Sequence, residues 1–140
     1  MVTTSLIHPE IIAALARCGH GSKILIADGN YPLAEKSGEA AKVFLGLRRG
    51  LPTVMDVLSE ICQFVNIEAA AVMVPEQGPE PEIFPEFRTA LGPKVRLEEY
   101  ARQEFYSLCM GKGSLVLAIS TGKQRVYACL LYTSDAADEE

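Results

Sequence analysis

The sequence predicts an α/β fold: a three-layer α/β/α sandwich with a mostly parallel central sheet and a C-terminal antiparallel hairpin. Three observations carry this expectation. Short apolar runs such as "KILIA" and "AAAVMV" alternate with segments whose apolar residues recur at helical spacing. Those runs lack polar alternation, as strands covered on both faces of a parallel sheet do. The last two apolar runs, "SLVLAIS" and "RVYACLL", are joined by "TGKQ" alone, a hairpin-like spacing.

Taken in order, "HPEIIAALARCGHG" puts Ile11, Ile12, Leu15 and Cys18 on one helical face, with Pro9 in the first turn and Gly19 as a stop. The strand "KILIA" ends at the turn formers "DGNYP", so Asp28 stands at its carboxyl end. "AKVFLGL" gives a second strand. "LPTVMDVLSEICQFV" places Val54, Val57, Leu58, Ile61, Cys62 and Val65 at helical spacing behind Pro52 and the capping candidate Thr53, the clearest amphipathic helix in the chain. After the strand "AAAVMV", the proline-rich acidic stretch "PEQGPEPEIFPEF" reads as a solvated connection, although loops of this length also serve as lids, and it runs into a short helix at "PEFRTALG". "KVRLEEYARQEFYSLCM" begins as a strand and becomes a helix carrying Tyr100, Arg102, Phe105 and Tyr106.

With 140 residues, 49% of them hydrophobic, one compact domain is expected. The formal charge of −5 argues against nucleic acid as a partner. Four of the 18 acidic residues, Asp135, Asp138, Glu139 and Glu140, fall at the very end, so the rest of the chain nearly balances its 13 basic residues. Cys18, Cys62, Cys109 and Cys129 form no C-x-x-C pair and read as free thiols. "MVTTSLIHPEIIAALA" has no basic segment followed by a long apolar one, and no apolar run is long enough to cross a bilayer, so a cytoplasmic protein without membrane association is expected.

The closing string "CLLYTSDAADE" resembles the translated end of a transposon adapter used in preparing DNA sequencing libraries. On that reading residues 1–128 form the domain, and residues 129–140 are a non-native tail replacing the end of the last strand. A genuine polar tail is the ordinary alternative.

"GHGSK" has neither dinucleotide nor phosphate-loop spacing and precedes a strand, and no serine has a nucleophile-elbow context. Two histidines and no clustered acids leave no expected metal or cofactor. His20 in its glycine turn and Asp28 before Gly29 are each explicable as turn residues. Ligands of open α/β sheets collect beyond the carboxyl ends of strands, which raises both as candidates. Arg102 and Tyr106, four apart on one helix face, read as a sugar-binding edge or an amphipathic boundary. Tyr127 reads as a core-edge residue unless its hydroxyl faces a cleft.

In order and spacing, "HPEIIAALARCGHGSKILIADGNYP", "GLPTVMDVLSEI", "RQEFY" and "TGKQRVYA" resemble the ribose pyranase and fucose mutarotase family (RbsD/FucU), over nearly all of positions 5–128. The resemblance implies a small cytoplasmic α/β isomerase that interconverts anomers or ring forms of a free monosaccharide and assembles as a ring, typically a homodecamer, with sites at subunit contacts. It assigns His20 to the family's histidine, Asp28 to its aspartate, Arg102 to a position held by arginine in fucose-type and histidine in ribose-type members, and Tyr127 to the tyrosine of a final Tyr-x-Asn. Cys129 stands where that asparagine is expected, and the adapter-like string begins there.

Mutarotation needs a base for the anomeric hydroxyl and an acid for the ring oxygen, and no cofactor. His20 and Tyr127 are expected as the proton-transfer pair, with Asp28 and Arg102 orienting hydroxyls, Tyr106 beside Arg102, and Tyr31 stacking on the sugar or simply packing. L-fucose is the first substrate expected, from Arg102 and "RQEFY". D-ribose, or a non-catalytic sugar-binding role in an uptake system, is the alternative.

Overall fold

The computed structural model describes residues 3–111, 115–124 and 129–133. Helix α1 (Pro9–Ala16) opens the fold, capped by His8, whose Nδ1 accepts the Ile11 amide at 3.3 Å. It buries Ile11, Ala14 and Leu15. There follow β1 (Lys23–Ala27), β2 (Ala41–Phe44), α2 (Val54–Phe64), β3 (Ile67–Met73), α3 (Ile83–Leu91), β4 (Arg96–Tyr100), α4 (Arg102–Met110), β5 (Leu115–Ser120) and β6 (Cys129–Thr133). Tyr100 closes β4 instead of belonging to the helix after it.

Helix α2 starts where the sequence places it. Thr53 Oγ1 accepts the Asp56 amide at 3.0 Å and Asp56 Oδ2 accepts the Thr53 amide at 2.9 Å, a reciprocal box that satisfies two otherwise orphaned donors.

The described strands form one sheet in the order β2-β5-β1-β6-β3-β4. β1 and β2 are parallel to β5, β3 is parallel to β4, and β6 is antiparallel to both β1 and β3. All strands but β6 therefore point the same way, and Phe44, Ser120, Ala27, Met73 and Tyr100 end on one edge.

The mostly parallel sheet agrees with expectation, but the terminal hairpin does not form: β5 and β6 are not partners. β5 is flanked on both sides by parallel neighbours, and β6 enters the slot between β1 and β3, where both of its edges are paired. Two apolar runs with a short polar link suit mutual pairing and separate insertion equally well, and only the rest of the sheet decides between them.

Strand residues alternate between two cores. Ile24, Ile26, Val72, Leu117 and Ile119 pack with Ile11, Leu58, Phe84 and Phe87 from α1, α2 and α3. Leu25, Ala27, Ala71, Met73 and Ala118 face the other way, onto Phe105 and Cys109 of α4 and onto Tyr31 and Leu33. Helices on both faces make the three layers.

Candidate active site

Asp28 follows the last residue of β1 and is fully buried. Its Oδ1 accepts the Asn30 amide at 2.7 Å, a turn that takes over where the ladder stops. The exit of β5 is tied to the same place: the Thr121 amide and hydroxyl both donate to the Ala27 carbonyl at 2.9 Å, and the Gly29 amide donates to the Lys123 carbonyl at 2.6 Å. Asn30 Nδ2 donates to the Gln124 carbonyl. A Cβ on Gly29 would come within 3.2 Å of the Lys123 carbonyl oxygen, so a glycine permits this close approach.

Tyr31 continues the turn into the core under α4. Its ring is 6% exposed and lies edge-on to Phe105 (6.2 Å between centroids) and Tyr106 (5.4 Å), while its hydroxyl donates to the Lys36 carbonyl at 2.8 Å. Burial above all, and then the neighbouring Cys109 thiol, push its ionisation far above the usual phenol range. Cys109 is itself pushed up to about 11, chiefly by burial. Tyr31 is thus a neutral ring enclosed by protein, and half-buried Tyr106 carries the aromatic surface outward, with the Lys36 ammonium 5.7 Å from its ring centre.

Arg102 is exposed in the first turn of α4. β4 lies three places from β1 in the sheet, so at roughly 4.8 Å per strand Arg102 starts about 14 Å across the same edge from the β1 exit. Helix α4 spans that gap and brings Tyr106 against Tyr31. Asp28, Tyr31 and Tyr106 are therefore contiguous along this side, with Arg102 at its far end.

His20 lies elsewhere. It is exposed in the turn that precedes β1, at the amino edge of the sheet. The end of β6 holds this turn: the Gly21 amide donates to the Thr133 carbonyl at 3.0 Å, and the Thr133 hydroxyl is 2.5 Å from the Gly19 carbonyl and 3.1 Å from that of Ser22. The five residues of β1 at about 3.3 Å each separate His20 from Asp28 by roughly 16 Å. One chain's His20 and Asp28 therefore stand at opposite ends of β1. Tyr127 lies outside the described residues, and those flanking it, Gln124 and Cys129, are both at the carboxyl edge. Asn30 and Thr121 escaped sequence reasoning; the signals were the second polar residue of "DGN" and a threonine directly after an apolar strand.

Among the described residues, no three His, Cys, Asp or Glu side chains gather as a metal site, and no helix is long and apolar enough to cross a membrane. The sequence model of the RbsD / FucU transport protein family matches residues 1–136. The chain belongs to the RbsD/FucU family. A D-ribose pyranase of Chloroflexus aggregans is 27% identical to this RbsD/FucU chain over 131 residues, covering 91% of the chain and 92% of the relative. Bacillus subtilis RbsD complexed with D-ribose matches it with a TM-score of 0.76 at 23% identity, over 96% of this chain and 98% of the other. The Streptococcus pneumoniae fucose mutarotase in complex with L-fucose matches with a TM-score of 0.70 at 20% identity, over 91% and 93%. At these identities the two structures share the fold of this RbsD/FucU protein.

Proposed function

We propose that this protein interconverts ring forms of a free monosaccharide by acid/base ring opening, with no cofactor. The observation that carries the reading is membership of a family whose named relatives include a D-ribose pyranase, in a chain with a buried carboxylate at the sheet edge where α/β folds bind ligands. Asp28 and Arg102 orient sugar hydroxyls, and Tyr106, half-buried between them, offers an aromatic surface. Tyr31 supports Tyr106 from beneath. His20 and Tyr127 move the protons, a task suited to an imidazole, which exchanges protons near neutral pH.

Since His20 and Asp28 of one chain sit on opposite edges, the sugar site is completed by a neighbouring copy, in a cytoplasmic ring that is a homodecamer on this reading. L-fucose is the proposed substrate, on the arginine at position 102. D-ribose is the second reading, favoured by the Chloroflexus relative. A non-catalytic sugar-binding role in uptake is the rival class. The residues from about Cys129 onward are proposed to be non-native, so that Cys129 stands where an asparagine belongs.

Saturation-transfer NMR tests this directly: one anomer's signal of L-fucose or D-ribose is saturated and its transfer to the other is followed, with the wild-type chain and with Cys129→Asn. Catalysed exchange of either sugar is expected, faster in Cys129→Asn. Exchange no faster than in buffer for both proteins would overturn the enzyme reading and leave the binding role.

A further inference from the structure

Asp28 stands between two peptide groups, and the residues just after β5 hold both of them. The Ala27 carbonyl, which leads into Asp28, accepts the Thr121 amide and the Thr121 hydroxyl, each at 2.9 Å. The Gly29 amide, which leads out of it, donates to the Lys123 carbonyl at 2.6 Å. A peptide group is planar, so holding its oxygen or its N–H restrains the whole plane, and restraint of the planes on both sides leaves the backbone angles of Asp28 little freedom. From that fixed backbone the carboxylate accepts the Asn30 amide at 2.7 Å.

The Thr121 hydroxyl joins the two grips. It donates to the Ala27 carbonyl and accepts the Lys123 amide at 3.3 Å, so it ties the residue that holds Gly29 to the carbonyl that precedes Asp28. The sheet itself does not require this bond, because the Thr121 amide already gives the Ala27 carbonyl a donor. Thr121 is 2% exposed and directly follows the apolar run of β5. Burial alone would suit valine better there, since a buried hydroxyl destabilises the fold unless it finds partners. Its single hydrogen is directed at Ala27, which leaves none to donate to a sugar. Thr121 therefore acts through Asp28 rather than on a ligand.

We infer that Thr121 is a positioning residue whose hydroxyl fixes Asp28 in the orientation that receives sugar hydroxyls, an inference that rests on the sugar reading proposed above. The test compares Thr121→Val, which keeps the shape and loses the hydroxyl, with Thr121→Ser, which keeps the hydroxyl. Amide hydrogen exchange followed by NMR reads the geometry without any sugar. In Thr121→Val the Gly29 and Asn30 amides should exchange roughly 10-fold faster or more, the scale of one lost buried hydrogen bond, while amides inside β1 keep wild-type rates. Anomer exchange measured against sugar concentration reads the consequence. KM should rise by a similar factor with kcat unaltered, because Asp28 holds hydroxyls and moves no proton. Thr121→Ser should match the wild type in both measurements. Thr121→Ala removes the hydroxyl without placing a methyl against the Ala27 carbonyl, and it replaces Thr121→Val if that protein does not fold. Unchanged amide rates at Gly29 and Asn30, or a lowered melting temperature with KM unchanged, overturns the inference and leaves Thr121 a structural strand end. A wild-type chain that speeds neither sugar's anomer exchange removes the function proposed above instead, and the amide rates still decide whether Thr121 positions Asp28.

Discussion

A thiol and a phenol stand together in the apolar cluster under α4, and both are held protonated by burial. For Cys109 the consequence can be read in solution. The folded thiol ionises at about 11 against 9.0 for an ordinary cysteine, so the unfolded chain gives up its proton first as pH rises. Stability is whole below about pH 9 and falls toward pH 11, by as much as ~3 kcal/mol for a shift of this size. Urea unfolding between pH 7 and 10.5 should show that decline, and Cys109→Ala should flatten part of it. His20 sits at the other extreme, exposed in its turn. His20→Ala should slow anomer exchange by roughly 10²-fold, the scale of a general acid/base, while leaving the melting temperature unchanged; unaltered exchange would remove its catalytic assignment. The place of Asp28 was legible, because turn formers directly after an apolar run mark a strand's exit. The separation of His20 from it was not, since nearness in sequence conceals that an extended strand carries its two ends far apart.

At the scale of elements, the sequence is most readable where the signal is local. Helix α2 needs only Thr53, Asp56 and a one-sided apolar spacing, all within a dozen residues. Asp56→Ala should remove half of the capping box and lower stability by about 1 kcal/mol in chemical denaturation. Pairing between strands is not local, and β5 and β6 show it: their spacing fits a hairpin, yet β1 separates them. Helix α4 stands between these cases. Its existence was legible, but its task of linking the Arg102 end of the edge to Tyr31 depends on Phe105, fully buried against the sheet. Phe105→Ala should cost about 3–5 kcal/mol, and at temperatures where it remains folded it should raise the sugar KM more than it lowers kcat, because it loosens the Tyr31–Tyr106 pair without touching a proton-transfer group.

Across the whole molecule, the sheet is two parallel blocks, β2-β5-β1 and β3-β4, with β6 hydrogen-bonded to both. Among the described residues the blocks share no direct ladder. A chain ended after Ala128 should therefore fail as one cooperative unit, with strand signal in circular dichroism but no single unfolding transition, whereas Cys129→Asn should keep the transition of the wild type. Because β6 comes after every other described strand, this architecture also sets an order in time. While the protein is being made, each block can pair its own strands as they emerge from the ribosome, but the open flanks of β1 and β3 stay exposed until residues 129–133 have left the tunnel. For that interval the nascent chain presents two unsatisfied strand edges, and these are the surfaces a chaperone would have to shield.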